Sequence, residues 1–135
     1  MAAKKNTTIQ ATGKRKTSVA RVSLNKGTGV IRVNNEDLNS YFDTLVEMKV
    51  REPLTISGLG AKFDIKISVF GGGVQSQAEA VRQAIARALV EVSGEELRKT
   101  FVDYDRSMII TDTRFKEMKK PNNSSARSKR QKSYR

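Results

Sequence analysis

The chain has 135 residues, which is enough for one domain with a hydrophobic core and too few for two domains of ordinary size. It contains no cysteine and no histidine, which excludes disulfides, Cys/His zinc sites, and thiolate or imidazole catalysis. No apolar run approaches the roughly 20 residues of a membrane span, and none of secretory type follows the start. We therefore expect a soluble, intracellular protein without a cofactor.

The formal net charge of +12 is concentrated at the two ends of the sequence. Residues 1–26 carry seven cations and no acid, residues 114–135 carry nine cations and one acid, and residues 27–113 have a net charge of −3. Such segregation is typical of segments that bind nucleic acid, whereas a merely solvated surface mixes both signs. We predict a flexible basic N-terminus at 1–10, a folded domain at 11–113 and an extended basic tail at 114–135, called here the C-terminal segment.

The first half of the domain contains two predicted strands. In TSVARVSLN, apolar residues alternate with polar ones and place three side chains on one face, namely Ala20, Val22 and Leu24. The run VIRVNN predicts a second strand, and the glycine-containing KGTG between the two predicts a hairpin. EDLNSYF favours a short helix. The pattern of LVEMKVRE leaves helix and strand open, and we expect Pro53 to end or redirect this segment.

The second half contains the clearest strand and the longest helix. FDIKISVF alternates strictly, with an apolar face made of Phe63, Ile65, Ile67 and Val69. After three glycines, VQSQAEAVRQAIARALVEV predicts a helix whose apolar stripe comprises Val74, Ala78, Val81, Ile85, Ala88 and Val92. We expect Arg87 and Glu91 to pair on its other side. EELRKTFVDY predicts a further helix that adds Leu97 and Phe101 to the core.

A dense cationic patch, formed by Lys14, Arg15 and Lys16, leads into the first of these strands. Gly13-Lys14 resembles the end of a phosphate-binding loop, but Thr8 stands where that loop needs a glycine and Arg15 where it needs Ser or Thr. The patch is therefore interpreted as a surface for phosphate contacts, with a solvated strand end as the alternative.

Three glycines, Gly71, Gly72 and Gly73, connect the clearest strand to the long helix. Backbone N–H groups at such a turn, at the positive end of the helix dipole, can bind an anion. The glycines can equally serve only a tight turn and close packing, and the sequence leaves both interpretations open.

Acid chemistry is the third candidate. Asp103, Asp105 and Asp112 lie close together in sequence, but they lack the spacing of a calcium loop and there is no histidine to accompany them. We expect them to be surface acids that pair with Arg106 or cap a helix, and we predict neither a catalytic nor a metal site.

Three parts of the sequence carry a family resemblance as a set: TGKRKTSVARV, FGGGVQSQAEAVRQAIARALV, and YDRSMIITDTRFKEMKKP with ARSKRQKSYR. They resemble the small-subunit ribosomal protein family numbered nine in the universal scheme. The ending QKSYR is similar to its archaeal and eukaryotic branch. The resemblance implies a compact α+β domain like the second domain of the small-subunit ribosomal protein five family, a mixed sheet packed with helices. It further implies binding to ribosomal RNA in the head of the small subunit, beside other head proteins, and no enzyme activity.

The resemblance also implies that the C-terminal segment reaches the anticodon stem-loop of the P-site transfer RNA. Its 22 residues, if extended, span up to roughly 70 Å, against a radius of gyration near 13 Å for a domain of this size. Contacts with ribosomal RNA are predicted at Lys14, Arg15, Lys16, Arg21, Gly71, Gly72, Gly73, Arg114, Lys116, Lys119, Lys120 and Arg127. Contacts with transfer RNA are predicted at Lys129, Arg130, Lys132, Ser133, Tyr134 and Arg135. The alternative is a free basic RNA- or DNA-binding module.

Overall fold

The computed structural model describes residues 8–134, in which a five-stranded sheet is covered by helices. The strands are β1 (Ile9–Arg15), β2 (Ser18–Lys26), β3 (Ile31–Val33), β4 (Glu36–Asp37) and β5 (Phe63–Phe70). Their order is β1-β2-β5-β3-β4, and all neighbours are antiparallel except β3 and β5. This mixed sheet confirms the predicted α+β class. Residues 1–7 of the predicted N-terminus, and Arg135, lie outside the described residues.

The hairpin predicted between β2 and β3 is wrong. β2 forms its hairpin with β1, in a register that places Ile9 opposite Leu24, through a turn at Lys16 and Thr17. On its other side β2 pairs with β5, so that β5 lies between β2 and β3. The glycine-containing loop therefore crosses the end of β5 instead of joining neighbouring strands.

The carboxylate of Asp64 explains this crossing. Asp64 is the second residue of β5, and its Oδ1 accepts the backbone N–H groups of Thr28 (2.8 Å), Gly29 (3.0 Å) and Val30 (3.0 Å). These bonds, chiefly those from Val30 and Thr28, also lower the pKa of Asp64, because they favour the ionised carboxylate. The loop is thereby held over β5, and the chain enters β3 on the far side of that strand.

The helices are α1 (Leu38–Tyr41), α2 (Thr44–Ser57), α3 (Val74–Ser93) and α4 (Glu95–Tyr104), with short 3-10 turns at Gly60–Lys62 and Arg106–Met108. The predicted helices after β5 and around residue 38 are confirmed. Within the described range, no helix has the length and apolar character needed to cross a membrane.

The segment whose state the sequence left open is α2, and the expectation for Pro53 is wrong. Pro53 lies inside α2, which continues to Ser57 and ends at Gly58 in the left-handed conformation (φ 65°). Proline removes one helical hydrogen bond. The helix persists because residues one turn apart, Val46, Val50 and Leu54, are buried against the rest of the core, and Pro53 is buried with them.

The core lies between one face of the sheet and α3. The alternating residues predicted for β2 and β5 are buried, and so are the central members of the α3 stripe, Ala78, Val81, Ile85 and Ala88. Its two ends are not, because Val74 and Val92 are 54% and 38% exposed. Phe101 of α4 is fully buried, and Leu97 is packed against the same core as a partly buried residue.

Candidate nucleic-acid interface

The three cations at the β1–β2 turn do not share one environment. Successive residues of a strand point to opposite faces, so Lys14 projects from the face without helices while Arg15 points toward α3. Lys14 is exposed, with its Nζ 5.3 Å from the ring centroid of Phe115, and Lys16 is exposed at the turn (φ 50°). Arg15 is half-buried and forms ion pairs with Glu79 of α3 (2.7 Å) and with Asp112. Only the two lysines are available to a ligand.

Asp112 ties the beginning of the C-terminal segment to this turn. Its carboxylate accepts hydrogen bonds from the side chain of Arg114 (2.6 Å at the closest), from the Arg114 backbone N–H (2.9 Å) and from Arg15. These bonds, led by the Arg114 side chain, hold the pKa of Asp112 well below its ordinary value and raise the pKa of Arg114. Arg15 and Arg114, both predicted RNA contacts, are thus already paired with a carboxylate.

The glycine turn after β5 has a packing explanation. Gly71 and Gly72 have positive φ angles of 77° and 65°. A Cβ at Gly71 would lie 2.6 Å from the Thr17 carbonyl oxygen, and one at Gly72 would lie 2.1 Å from Ser18 Oγ. The Gly71 carbonyl accepts hydrogen bonds from Ser18 Oγ (2.8 Å) and from the Gln77 side chain (3.1 Å). Close packing therefore accounts for two of the glycines, and anion binding at this turn stays a prediction.

Within residues 8–134, no helix covers the face of the sheet turned away from α3, and this face carries cations. It is called here the open sheet face, and it comprises Gln10, Thr12, Arg21, Ser23, Arg32, Lys66 and Ser68, which border a shallow concavity of about 990 Å³. Arg21 was predicted from its place in the basic N-terminal region. Arg32 and Lys66 were not predicted, because the expected pairing of β2 with β3 leaves no place for β5 between these two strands. In the structure β5 lies between them and brings Lys66 next to Arg32 and near Arg21.

Arg87 fixes the chain where it leaves the domain, and the predicted pair with Glu91 is replaced by other contacts. The guanidinium donates to the carbonyl oxygens of Ile109 (2.8 Å) and Thr12 (2.8 Å) and to Thr111 Oγ1 (2.8 Å). Burial of this group lowers its pKa. One side chain of α3 therefore joins β1 to the segment that follows the last 3-10 turn.

After Phe115, whose ring lies near Lys14, the chain has little contact with the domain. Across 111–134, all of it described, no residue belongs to a helix or strand, and most side chains are exposed. Arg127 pairs with Glu117 through two hydrogen bonds of 2.8 Å. The other predicted RNA-binding residues of this stretch are exposed, namely Lys116, Lys119, Lys120, Lys129, Arg130, Lys132, Ser133 and Tyr134.

Two of the three acids near the end of the domain, Asp105 and Asp112, form ion pairs. Asp105 accepts hydrogen bonds from Arg82 Nη1 (2.7 Å) and from the Ser107 backbone N–H (2.9 Å). It therefore caps the 3-10 turn, as expected for a capping acid. Its arginine partner, however, is Arg82 and not Arg106. Arg82 also pairs with Glu52 of α2 (2.5 Å). In the part of the chain that the structure describes, no three acids are grouped as a metal site requires.

Comparisons with known proteins match nearly the whole chain to one family. The family model described as ribosomal protein S9/S16 matches residues 13–135. A curated relative, small ribosomal subunit protein uS9 of Methanothrix thermoacetophila, is 41% identical over 129 residues, which cover 94% of this chain and 98% of the relative. The matched region contains both the β1–β2 turn and the C-terminal segment.

Proposed function

The chain belongs to the ribosomal protein S9/S16 family, and from this premise we propose that it binds ribosomal RNA in the head of the small subunit and contacts P-site transfer RNA. The family is one of structural ribosomal proteins, so its role is that of a constituent of the small subunit, located on cytoplasmic ribosomes. The partners in this proposal are ribosomal RNA, P-site transfer RNA and neighbouring head proteins.

The observation that carries the RNA contacts is the exposure of the unpaired cations after residue 115. Lys116, Lys119 and Lys120 are exposed and, within the described residues, have no carboxylate at ion-pair distance. Such side chains bind phosphates by releasing condensed counterions, without a preformed pocket. We add Lys14, Lys16 and the glycine turn to the proposed ribosomal RNA contacts. Arg114 and Arg127 are included as well, because each pairs with a carboxylate but keeps more than four fifths of its side chain exposed.

The transfer RNA contacts are proposed for the end of the same segment. Lys129, Arg130 and Lys132 supply positive charge, Ser133 a hydroxyl, and Tyr134, which is 89% exposed, a ring that can stack on a base or ribose. In the described part of the C-terminal segment, the contacts with the domain lie near its beginning, around Asp112 and Arg114, and Arg87 holds the chain just before it. The far end is therefore proposed to be available to a second RNA molecule.

Sedimentation separates this proposal from that of a free nucleic-acid-binding module. A tagged copy in extract of cells that express it is centrifuged through a sucrose gradient at low and at high salt. A ribosomal constituent stays with the small subunit at high salt, because its contacts are numerous and buried in the particle. A free module leaves the particle and appears at the top of the gradient, and that result would refute the assignment.

A further inference from the structure

The open sheet face places three cations next to one another. Arg32 of β3 lies directly opposite Lys66 of β5, and Arg21 of β2 lies opposite Ser68, two residues further along β5. Neighbouring strands are about 4.8 Å apart, so the three side chains emerge from a patch roughly 10 Å wide. All three are exposed. Like charges in such positions repel each other in the isolated protein.

Carboxylates of the domain do little to neutralise this patch. Among the described residues, neither Arg21 nor Lys66 has a carboxylate within ion-pair distance. Arg32 Nε lies 3.7 Å from Asp37, but both side chains are more than half exposed, and pairs of this kind contribute little. Asp64, on the same face, is occupied by three backbone N–H groups. The charge of the patch is thus left for an external anion.

The neutral residues of the face indicate which anion fits. Thr12, Ser23 and Ser68 bring hydroxyls and Gln10 an amide, groups that commonly contact phosphate oxygens and ribose. The residues that line the concavity include no aromatic side chain, whereas cores of protein interfaces are rich in aromatics and poor in lysine. The face also continues along β1 to Lys14, which projects on the same side.

We propose that the open sheet face binds the sugar-phosphate backbone of RNA through Arg21, Arg32 and Lys66, as a contact independent of the C-terminal segment. The occupant is one RNA strand whose phosphates neutralise the three cations while the hydroxyls bind ribose or phosphate oxygens. This inference rests on the proposed ribosomal function for the identity of the RNA, but the contact itself requires only a polyribonucleotide.

The test compares two full-length variants that lose equal charge. The face variant carries Arg21→Gln, Arg32→Gln and Lys66→Gln, and the control variant carries Lys26→Gln, Lys62→Gln and Lys99→Gln, at exposed positions outside the concavity. Fluorescence anisotropy measures binding to a head-domain transcript of small-subunit ribosomal RNA and to a mixed-sequence single strand, at several salt concentrations. Thermal melting confirms that both variants fold, and the face variant should be at least as stable as the control.

We expect the slope of log K against log salt to be shallower by about 2 in the face variant, from three phosphate contacts at roughly 0.7 each. Affinity for the transcript should fall roughly tenfold or more relative to the control. Equal slopes and affinities for the two variants would overturn the proposal. A second result would also overturn it. If the face variant binds the isolated transcript as well as the control does but is lost from subunits reconstituted with the head proteins, then the face contacts protein and not RNA.

The proposed function and this inference can fail separately. If the wild-type protein binds the mixed-sequence strand but neither the transcript nor small subunits, the ribosomal assignment fails, while the difference between face and control variants still decides the inference. If the wild-type protein binds both RNAs and enters subunits, equal behaviour of the two variants refutes the inference alone.

Discussion

Gly13 of β1 lies against the backbone of Ala80 in α3. A Cβ placed on Gly13 would stand 2.1 Å from the Ala80 carbonyl oxygen and 2.7 Å from the Ala84 nitrogen, so only a glycine allows strand and helix to approach this closely. The same close approach lets the Lys14 backbone N–H reach Gln83 Oε1 (2.9 Å). The basic turn is therefore held by the domain core immediately beneath it.

Gly13→Ala should destabilise the domain strongly. Because the added methyl group meets helix backbone and not the end of a flexible side chain, we expect a loss on the order of 3 kcal/mol in the free energy of unfolding. That corresponds to a fall in Tm of about 10 °C or more, measured by thermal melting. Gly60→Ala is the control, since its Cβ would meet only Leu54 Cβ, at 3.5 Å. Equal Tm values for the two variants would contradict the packing argument.

Periodicity was sufficient to predict β2, β5 and α3 as core elements, but β1 was not predicted and the state of α2 stayed open. The buried residues of β5 are those that its period-2 pattern indicates, whereas α3 exposes both ends of its predicted stripe and also buries residues outside it, among them Ala84 and Leu89. The partner of β3 was not predictable in this way, because it depends on Asp64 accepting bonds from a loop more than 30 residues away in sequence. Pro53 was misjudged for a related reason, since tertiary burial of α2 outweighs a local preference.

The candidate site was predictable as charge but not as geometry. The sequence shows that residues 14–16 are all cations, but it does not show which of them lack an ion-pair partner. That depends on the alternation of side chains along the strand, which turns Arg15 toward Glu79 and Asp112. Arg87 looked like one member of a surface pair, whereas its contacts are carbonyl oxygens far away in the sequence. Long-range contacts of this kind leave no signal in a local pattern.

Asp112 should make stability depend on acid pH. Its pKa in the folded protein is below the ordinary value of 3.8, so its ion pairs stabilise the fold above that value and are lost as the pH falls toward the folded-state pKa. We expect Asp112→Asn to melt below wild type at pH 6, and the difference in Tm to shrink as the pH is lowered from about 5 to 3.

Asp103→Asn provides the matched control for this pH dependence. Asp103 is exposed on α4, and among the described residues it has no cation at ion-pair distance. Its difference from wild type should be small at pH 6. A Tm difference for Asp112→Asn that stays constant between pH 6 and pH 3 would show that the carboxylate does not act through its charge.

The cations of the β1–β2 turn should separate into two classes. Lys14→Gln with Lys16→Gln should make the salt dependence of binding to a ribosomal RNA transcript shallower by about 1.4, for two phosphates, and leave Tm nearly unchanged. Arg15→Gln should instead lower Tm, because it leaves Glu79 and Asp112 without a shared partner, and change the salt slope less. Anisotropy titrations and thermal melts of the same preparations measure both. A lysine variant that melts well below wild type would mean that these residues are structural.

The last prediction concerns the end of the C-terminal segment. Residues 129–134 lie outside every helix and strand, so deleting 129–135 should leave the fold and entry into small subunits intact. The defect should appear in transfer RNA bound at the P site, because this stretch is proposed to hold its anticodon stem-loop. Loss of Arg135 alone removes a charge-assisted contact of about 1.5 to 3 kcal/mol at most, and less if water reaches it.

Small subunits reconstituted with each form of the protein provide the measurement, which is the rate of transfer RNA dissociation from the P site. We expect the rate to increase from wild type to the Arg135 deletion to the deletion of 129–135, without complete loss of binding, because messenger and ribosomal RNA contacts remain. A variant with the order of residues 129–135 scrambled keeps the charge and tests whether the positions of Tyr134 and Arg135 matter. Identical rates for all forms, in subunits shown to contain the protein, would refute a transfer RNA contact and leave this stretch a role in assembly alone.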